Sequence, residues 1–267
     1  MSVADVSVVI PYFEAGDSIA RCLASVAAQS LPVREVIVID DGSAQPLALG
    51  GEAVGRATLL TIARLDRNRG AAAARNEGVR RARAKYIAFL DADDVWLHDK
   101  IRVQYTLMEQ GGWALSGHGY AATPVAEQPG AAAAAPRVRR VRRLEFAVTN
   151  PFFTPTVMVR RQGFAPFDEA HRRADDYKAW LENFSAGHTF LIERVLAHGF
   201  KPALGHSGLT GSVLTMHRDF IAVLASLRLE DKVSPAFYVA ALLVEYLKLP
   251  LRWPRLWLSG RAGARGR

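Results

Sequence analysis

The chain has 267 residues, half of them hydrophobic, which excludes a largely disordered protein and fits one large domain or one domain with an appendage. The formal net charge is +8; five arginines lie between Arg137 and Arg143, and the residues after Leu247 include no acid. This basic surplus suits an anionic membrane surface, nucleic acid or phosphorylated ligands, and it does not choose among them.

The first part of the chain alternates predicted strands with predicted helices. Continuous apolar runs predict buried strands at Val6–Ile10, Glu35–Ile39, Thr58–Ala63 and Tyr86–Leu90, and helical patterns run from about Asp17 to Gln29 and from Ala71 to Ala84. Alternation at this spacing indicates right-handed βαβ units. The predicted fold class is therefore α/β, a Rossmann-like, mostly parallel sheet flanked by helices.

The pattern becomes less regular after the fourth strand. Further elements are predicted as a helix at Lys100–Gln110, strands at Trp113–Tyr120 and Thr156–Val159, a helix at Asp175–Ala186 and an extended segment at Phe190–His198. The stretch from Thr123 to Arg140 is rich in alanine and proline at its start and basic at its end, so we predict a flexible insertion near residues 121–143.

The C-terminal part is predicted to be helical, which divides the chain into an α/β domain over residues 1–205 and a helical extension over residues 206–267. A glycine-rich loop, Gly205–Gly211, and His217 could close over a ligand or serve a core or capping role. The final predicted helix, Pro235–Leu249, precedes a segment that mixes Trp, Leu and Arg. That mixture suits contact with an anionic membrane surface, or packing on the domain, and the two are compatible.

Cysteine content and apolar run lengths bear on the compartment. Cys22 is the only cysteine, so no internal disulfide can form, and its place on an apolar helix face predicts a core residue rather than a nucleophile. The N-terminal apolar run is too short for a signal peptide, and no run reaches the roughly 18 to 20 apolar residues of a spanning helix. We expect a cytoplasmic protein that is peripheral on the membrane.

The stretch Tyr86–Asp94 predicts the centre of the functional site. A buried strand leads directly into three carboxylates, Asp91, Asp93 and Asp94. Ligands of parallel sheets bind at the carboxyl ends of strands, and clustered carboxylates attract a hard cation. The alternative is a surface turn, where Asp is common. The stretch therefore predicts a divalent metal that bridges to a phosphate-bearing ligand.

Other strand ends carry residues that would converge on the same crevice if the strands are neighbours. Phe13 could stack on a base, Asp41 could accept a hydrogen bond from a ring N–H, and Asp91 could accept one from a ribose hydroxyl. Asp93 could hold a metal across a diphosphate. Arg75, near the start of a helix, could face the phosphates or could be a solvated helix arginine.

Three stretches together resemble the family-two glycosyltransferases of the GT-A fold. They read VSVVIPYFEAGDSIARCLASVAAQSLPVREVIVIDDGS, NRGAAAARNEGVRRARAKYIAFLDADDVW and VMVRRQGFAPFDEAHRRADDYKAWL, and the resemblance covers about Val6 to Leu181. It implies a nucleotide-sugar donor, Mg²⁺ or Mn²⁺ as cofactor, and transfer with inversion at the anomeric carbon.

The resemblance also implies roles for single residues. By position, Pro11, Phe13 and Asp41 would hold the nucleobase, and Asp91 and Asp93 would form the D-x-D element, with Asp93 the principal metal ligand. Asp176 would be the general base, with Asp175 the alternative. The predicted donor site is completed by Glu14, Arg75 and Ala92. Two departures stand out: Glu14 replaces the usual Asn, and the acidic pair is Asp-Asp where Glu-Asp is more usual.

The expected activity is a single sugar addition from a UDP-sugar to a saccharide or lipid-linked acceptor, in the synthesis of a polysaccharide, lipopolysaccharide or glycolipid. A sugar-phosphate nucleotidyltransferase is one alternative, but it needs a glycine-rich basic loop where this chain has Pro11–Glu14. A nucleotide- or nucleic-acid-binding module is the other. The arginine cluster lacks the interleaved aromatic residues of such modules, so we expect no nucleic-acid partner.

Overall fold

A computed structural model describes residues 2–55, 57–125, 135–200 and 213–248. The strands in these residues form one sheet in the order β3-β2-β1-β4-β8-β6-β9-β5, with β7 added alongside β9. Their bounds are β1 Ala4–Tyr12, β2 Val33–Asp40, β3 Leu59–Arg64, β4 Tyr86–Phe89, β5 Val95–Trp96, β6 Leu115–Ala121, β7 Val138–Arg140, β8 Met158–Arg160 and β9 Thr189–His198.

One half of the sheet is parallel. β1 lies at its centre and pairs in parallel with both β2 and β4, and β2 pairs in parallel with β3. Side chains of β1 and β4 are buried on both faces because helices cover both sides of the sheet. The predicted α/β fold class and the first four predicted strands are confirmed.

The other half of the sheet is mixed. β8 runs antiparallel to both β4 and β6, β6 and β9 are parallel, and β5 and β7 run antiparallel to β9. The short β8 thus separates two groups of parallel strands. It begins at Met158, two residues later than predicted, because Thr154–Thr156 forms a 3₁₀ turn that contains Pro155.

Helices lie on both faces of the sheet. Their bounds are α1 Ser18–Ala27, α2 Ala71–Arg81, α3 Lys100–Gly111, α4 Glu145–Val148, α5 Asp175–Glu182, α6 Val213–Leu229 and α7 residues 235–248. α5 ends before the predicted Ala186 because the Asn183 side chain turns back, donating to the Ala179 carbonyl at 2.8 Å and accepting from the Ala165 N–H at 2.8 Å.

The two helix layers enclose two separate hydrophobic cores. α1 and α3 pack on one face, where Cys22 is fully buried, and burial raises the pKa of its thiol. α2, α5, α6 and α7 pack on the opposite face around Trp180, with Leu224 and Phe237 contributed by the two C-terminal helices. Successive residues of β1 supply both cores, since Val8 points to the first and Val9 to the second.

α6 and α7 pack on the part of the chain that precedes them. Lys178 of α5 is buried and donates to Asp168, to Ser226 of α6 and to Glu230, at 2.6, 2.7 and 2.6 Å. The predicted boundary at residue 205 falls in residues 201–212, outside the described residues, so the division into two units stays a prediction. Across the described helices, none is both long and apolar enough to cross a membrane.

The prediction of a flexible insertion near residues 121–143 was wrong at its C-terminal end. β7 pairs with the edge of β9, matching Val138 with Ile192 and Arg140 with Phe190. The next residue, Val141, is buried, and Arg139 pairs with Glu145 at 2.6 Å. A strand forms because β9 offers an unpaired edge, a long-range partner that composition does not reveal. Residues 126–134 lie outside the described part.

Candidate active site

A cleft of about 830 Å³ opens at the carboxyl ends of β1, β2 and β4. These parallel neighbours end at one edge, so the loops that follow them share one crevice. The cleft brings together every residue predicted for the donor and metal site: Pro11, Phe13, Glu14, Asp41, Arg75, Asp91, Ala92 and Asp93.

Asp41 is held by the loop that precedes α2. Its two carboxylate oxygens accept backbone N–H bonds from Arg69 and Gly70, both at 2.7 Å. This close approach depends on Gly42, which has φ +74° and lies so near that a Cβ would come within 2.5 Å of the Arg67 backbone. Burial raises the pKa of Asp41, and the two N–H bonds oppose that rise. The carboxylate therefore has a fixed orientation at the base of the cleft.

The loop after β1 is clamped to the loop after β2. The Glu14 N–H donates to the Ser43 hydroxyl at 3.1 Å, and the Glu14 carboxylate accepts from the Ala44 N–H at 3.3 Å. Glu14 has φ +46°, a left-handed conformation that Asn adopts more readily than Glu. This conformation is a physical reason for the Asn that usually stands there. Beside it, Phe13 is 45% exposed and available to stack on a flat ligand.

The three acids that follow β4 do not share one role. Asp91 and Asp93 line the cleft, whereas Asp94 is buried and accepts a hydrogen bond from the Tyr120 hydroxyl at 2.9 Å. The Asp94 N–H donates to the Asp91 carbonyl at 3.0 Å, which closes the turn between them. Asp94 is thus a supporting residue of the turn.

The cleft suits a divalent cation that receives most of its ligands from the substrate phosphates and water rather than from the protein. Among the described residues, no group of three or more His, Cys, Asp or Glu side chains could hold a metal by itself. Mg²⁺ and similar ions are commonly bound by one or two carboxylates together with substrate phosphates and water. Asp93 and Asp91 fit that arrangement, and Asp91 already shares its charge with Arg75.

Arg75 connects the D-x-D turn to the acidic pair. Its Nη2 donates to Asp91 at 2.8 Å and its Nη1 donates to Asp175 at 3.0 Å. The side chain is only 8% exposed, which shows that the solvated-helix interpretation was wrong. Arg75 does line the cleft, but each of its two Nη groups already donates to a carboxylate.

The acidic pair begins α5. Asp176 accepts a hydrogen bond from the Asn150 side chain at 2.9 Å and from the Tyr177 N–H at 2.8 Å. Burial, together with the neighbouring charge of Asp175, raises the pKa of Asp176 to about 7. Burial also raises the pKa of Asp175, but Arg75 opposes the rise. The pair therefore contains one acid neutralised by a guanidinium and one poised to exchange a proton near neutrality.

Some residues in and around the site escaped the sequence analysis. Asn150, which holds Asp176, lies in an irregular segment without periodicity, so no local signal marks it. Arg172 at the cleft wall is part of an arginine pair just before the acidic pair, and that basic pair was an available signal. Other unpredicted lining residues include Arg21, Asn68 and Phe200, and the Arg21 guanidinium lies 4.6 Å from the centre of the Phe200 ring.

His217 has a packing role. It is buried, and its Nδ1 lies 3.1 Å from a carboxylate oxygen of Glu245, which joins α6 to α7. The core role considered from the sequence accounts for this residue. The glycine-rich loop Gly205–Gly211 lies outside the described residues.

Sequence comparison relates the chain to proteins of known family. The model for "Glycosyl transferase family 2" matches residues 7–167. The teichuronic acid biosynthesis glycosyltransferase TuaG of Bacillus subtilis is 37% identical over 118 residues, 43% of this chain and 46% of TuaG. The succinoglycan biosynthesis protein ExoU of Rhizobium meliloti is 28% identical over 257 residues, 87% of this chain and 73% of ExoU. The chain thus spans less than half the length of TuaG.

Structural comparison supports the same fold. S. aureus TarS (residues 1–349) in complex with UDP superposes with a TM-score of 0.67 at 18% identity, over 91% of this chain and 70% of that one. The mannosyltransferase PcManGT of Pyrobaculum calidifontis, in complex with GDP-Man and Mn²⁺, gives 0.62 at 18% identity, over 99% of this chain and 81% of that one. At this identity the likeness shows the fold, which is GT-A.

Proposed function

Since the chain belongs to glycosyl transferase family 2, we propose that it moves a sugar from a nucleoside-diphosphate donor to a saccharide or lipid-linked acceptor, with inversion. The observation that carries this proposal is the convergence of Asp41, Asp91 and Asp93 on one cleft, joined to Asp175 through Arg75. The relatives' names, which refer to the biosynthesis of teichuronic acid and succinoglycan, support a role in polysaccharide synthesis. No observation favours nucleotidyl transfer or nucleic-acid binding over this activity.

In this proposal the donor lies along the cleft with its base against β1 and β2. Phe13 stacks on the nucleobase. Asp41, held by the loop before α2, accepts a hydrogen bond from a ring N–H of the nucleobase. Asp91 accepts a hydrogen bond from a ribose hydroxyl, and Asp93 would hold Mg²⁺ or Mn²⁺ on the diphosphate. The cation supplies positive charge to offset the charge that develops on the leaving diphosphate. Arg172, at the cleft wall, adds a second positive charge near the phosphates.

Asp176 is the proposed general base, because the two acids differ in environment. Asp175 is paired with Arg75 at 3.0 Å, and a guanidinium neighbour weakens a carboxylate as a base. Asp176 receives hydrogen bonds only from neutral donors among its described contacts, and its raised pKa suits proton uptake near neutral pH.

The reaction then follows from this division of labour. Asp176 takes the proton of the acceptor hydroxyl while that oxygen forms a bond to the anomeric carbon. The bond from the anomeric carbon to the diphosphate breaks on the opposite face, and its electron pair leaves with the nucleoside diphosphate. One attack from the face opposite the leaving group inverts the anomeric configuration, as in inverting glycoside hydrolysis.

The first prediction concerns the donor and Asp93. A UDP-sugar is the expected donor, and we expect it to raise the melting temperature more than GDP- or dTDP-sugars, and more with MnCl₂ than without. In Asp93→Ala the manganese-dependent part of the melting-temperature shift should disappear, because the cation loses its principal protein ligand. The variant should also fail to release nucleoside diphosphate. Differential scanning fluorimetry and a coupled diphosphate-release assay measure both.

Asp231→Ala is the matched control, since Asp231 is 86% exposed and lies far along the chain in the turn after α6. Alanine at its φ of +54° should lower the resting melting temperature slightly, but the manganese-dependent shift and the turnover should match those of the wild type. Full manganese-dependent stabilisation and turnover in Asp93→Ala would contradict the metal assignment. No stabilisation of the wild type by any of the three donor classes would contradict the proposed function.

We further propose that α7 brings the protein to an anionic membrane. One face of this helix is buried through Phe237 and Ala241, whereas the other exposes an apolar stripe of Val239, Leu243 and Leu247, joined by Tyr246. The sequence that follows, residues 249–267, contains five arginines, two tryptophans and no acid. An apolar stripe followed by basic and Trp residues matches the chemistry of an anionic lipid surface.

The second prediction tests this surface. Vesicles of phosphatidylcholine and phosphatidylglycerol should carry the protein upward in a flotation gradient, and pure phosphatidylcholine should carry less. The double variant Leu243→Ser/Leu247→Ser should bind at least about tenfold more weakly, because two leucines lose their insertion energy. Leu229→Ser, at an 85% exposed residue of α6 outside the stripe, should bind as the wild type. Equal flotation of the double variant would count against α7 as the contact.

A further inference from the structure

Phe153 exposes more than half of its aromatic side chain to solvent. Its neighbour Phe152 is 1% exposed and belongs to the core around Trp180, whereas Phe153 is 58% exposed. The backbone around Phe153 is fixed, because its carbonyl accepts the Thr156 N–H at 2.9 Å and the Thr156 hydroxyl at 2.7 Å. The ring is therefore presented on a rigid support.

The Phe153 ring lies between the proposed general base, Asp176, and the D-x-D turn. Three residues before Phe153, the Asn150 side chain holds Asp176. On the other side, the Phe153 ring stacks on Tyr120 with centroids 5.0 Å apart and an interplanar angle of 24°. The Tyr120 hydroxyl in turn donates to Asp94, next to the D-x-D pair. A three-residue step spans at most about 10 Å, so Phe153 lies close to the proposed base.

Phe153 is separate from the donor cleft. The residues that line that cleft include Phe13 and Phe200 as exposed aromatics, and Phe153 is not one of them. An acceptor must approach the base from outside the donor site, because the hydroxyl attacks from the face opposite the leaving diphosphate. Phe153 occupies a position beside the base and next to the D-x-D turn, which suits the wall of an acceptor subsite.

We propose that Phe153 is the stacking platform for a saccharide ring of the acceptor, an inference that rests on the proposed function. The axial C–H groups of a pyranose form a flat, weakly positive face, and an aromatic ring has a negative face that attracts it. Tyr120 supports the Phe153 ring from one side. Its hydroxyl packs closely on Gly199, where a Cβ would lie only 2.2 Å from the hydroxyl oxygen, and this packing restricts the Tyr120 side chain. The platform orients the sugar, and Asp176 then reaches the attacking hydroxyl.

The test separates acceptor binding from donor chemistry. The probe is a total glycan and glycolipid extract of the source cells, used with the nucleotide sugar that gives the largest thermal stabilisation. Phe153→Ala should raise the extract concentration for half-maximal incorporation of labelled sugar about tenfold. Its diphosphate release without extract should stay within about twofold of the wild type. Phe153→Trp should restore half-saturation, because a larger ring offers the same face.

Val148→Ala is the matched control, since this residue of α4 is apolar and 54% exposed in the same segment. It should leave both readouts unchanged. An unchanged half-saturation in Phe153→Ala, or an equal change in Val148→Ala, would overturn the platform. A change confined to donor release would place Phe153 at the donor instead. Absence of both activities in the wild type is the separate result that overturns the proposed function.

Discussion

Replacing Asp176 with Asn is expected to lower kcat for sugar transfer by about 10³-fold, within the range that general-base catalysis contributes. The amide keeps the size of the side chain and can still accept the Tyr177 N–H, so the start of α5 should persist. What it loses is the ability to take a proton from the acceptor hydroxyl. Donor affinity should change by no more than about twofold, because the proposed donor contacts lie across Arg75, in the cleft.

Isothermal titration with the donor and a transfer assay with labelled sugar measure the two effects separately. Asp175→Asn is the matched comparison, since it changes the adjacent acid of the same helix. It should cost less in kcat than Asp176→Asn, because Asp175 is committed to Arg75. The opposite order, with Asp175→Asn the more damaging, would assign the base to Asp175.

The pH dependence supplies a second readout of Asp176. Because burial and Asp175 raise its pKa from 3.8 to about 7, the transfer rate should rise with pH through about 7 as the base deprotonates. The free energy of unfolding should instead fall as pH rises through this range. The folded state binds the Asp176 proton more tightly than the unfolded state, so this group's contribution to stability is lost as pH rises from about 4 to 7. Asp176→Asn should remove the acidic limb of the pH–rate profile and flatten the dependence of stability on pH.

Replacing Arg75 with Gln is expected to destabilise the fold by about 3 kcal/mol and to lower transfer by at least about 10²-fold. The guanidinium is 8% exposed and bridges Asp91 and Asp175, which would otherwise be like charges with no counter-charge between them. Without it Asp91 also loses the partner that orients it at the D-x-D turn. Chemical denaturation gives the stability change, and steady-state kinetics give the loss of transfer.

Two further variants show whether the geometry of the guanidinium matters. Arg75→Lys keeps the charge, but one ammonium cannot donate to two carboxylates through separate, fixed nitrogens, so we expect only partial rescue, with kcat affected more than the donor KM. Arg80→Gln, on the same helix, changes an arginine that is 69% exposed and pairs with Glu77, and it should cost less than about 0.5 kcal/mol. Equal stability of Arg75→Gln and Arg80→Gln would refute a structural bridge.

Much of the fold and the outline of the site could be predicted because their signals are local. Apolar runs and helical periodicity depend on neighbouring residues, so the predicted bounds of β1, β2, β4, α2 and α7 agree with the structure within a few residues. The acids at strand ends converge because parallel strands end at one edge, which placed Asp41, Asp91 and Asp93 in one cleft. Spacing alone could not distinguish Asp94, which is buried and supports the turn, from a third ligand of the cation.

The amino-acid sequence by itself determined the layered α/β architecture, the family and the set of acids, since each follows from residue order over short windows. Only the tertiary structure decided the pairings: Arg75 with Asp175, 100 positions away, Asn150 with Asp176, and β7 with the edge of β9. Such pairings depend on the distance between folded elements and on the reach of side chains, which no local pattern encodes. The assignment of separate roles to Asp175 and Asp176 therefore came from their partners in space.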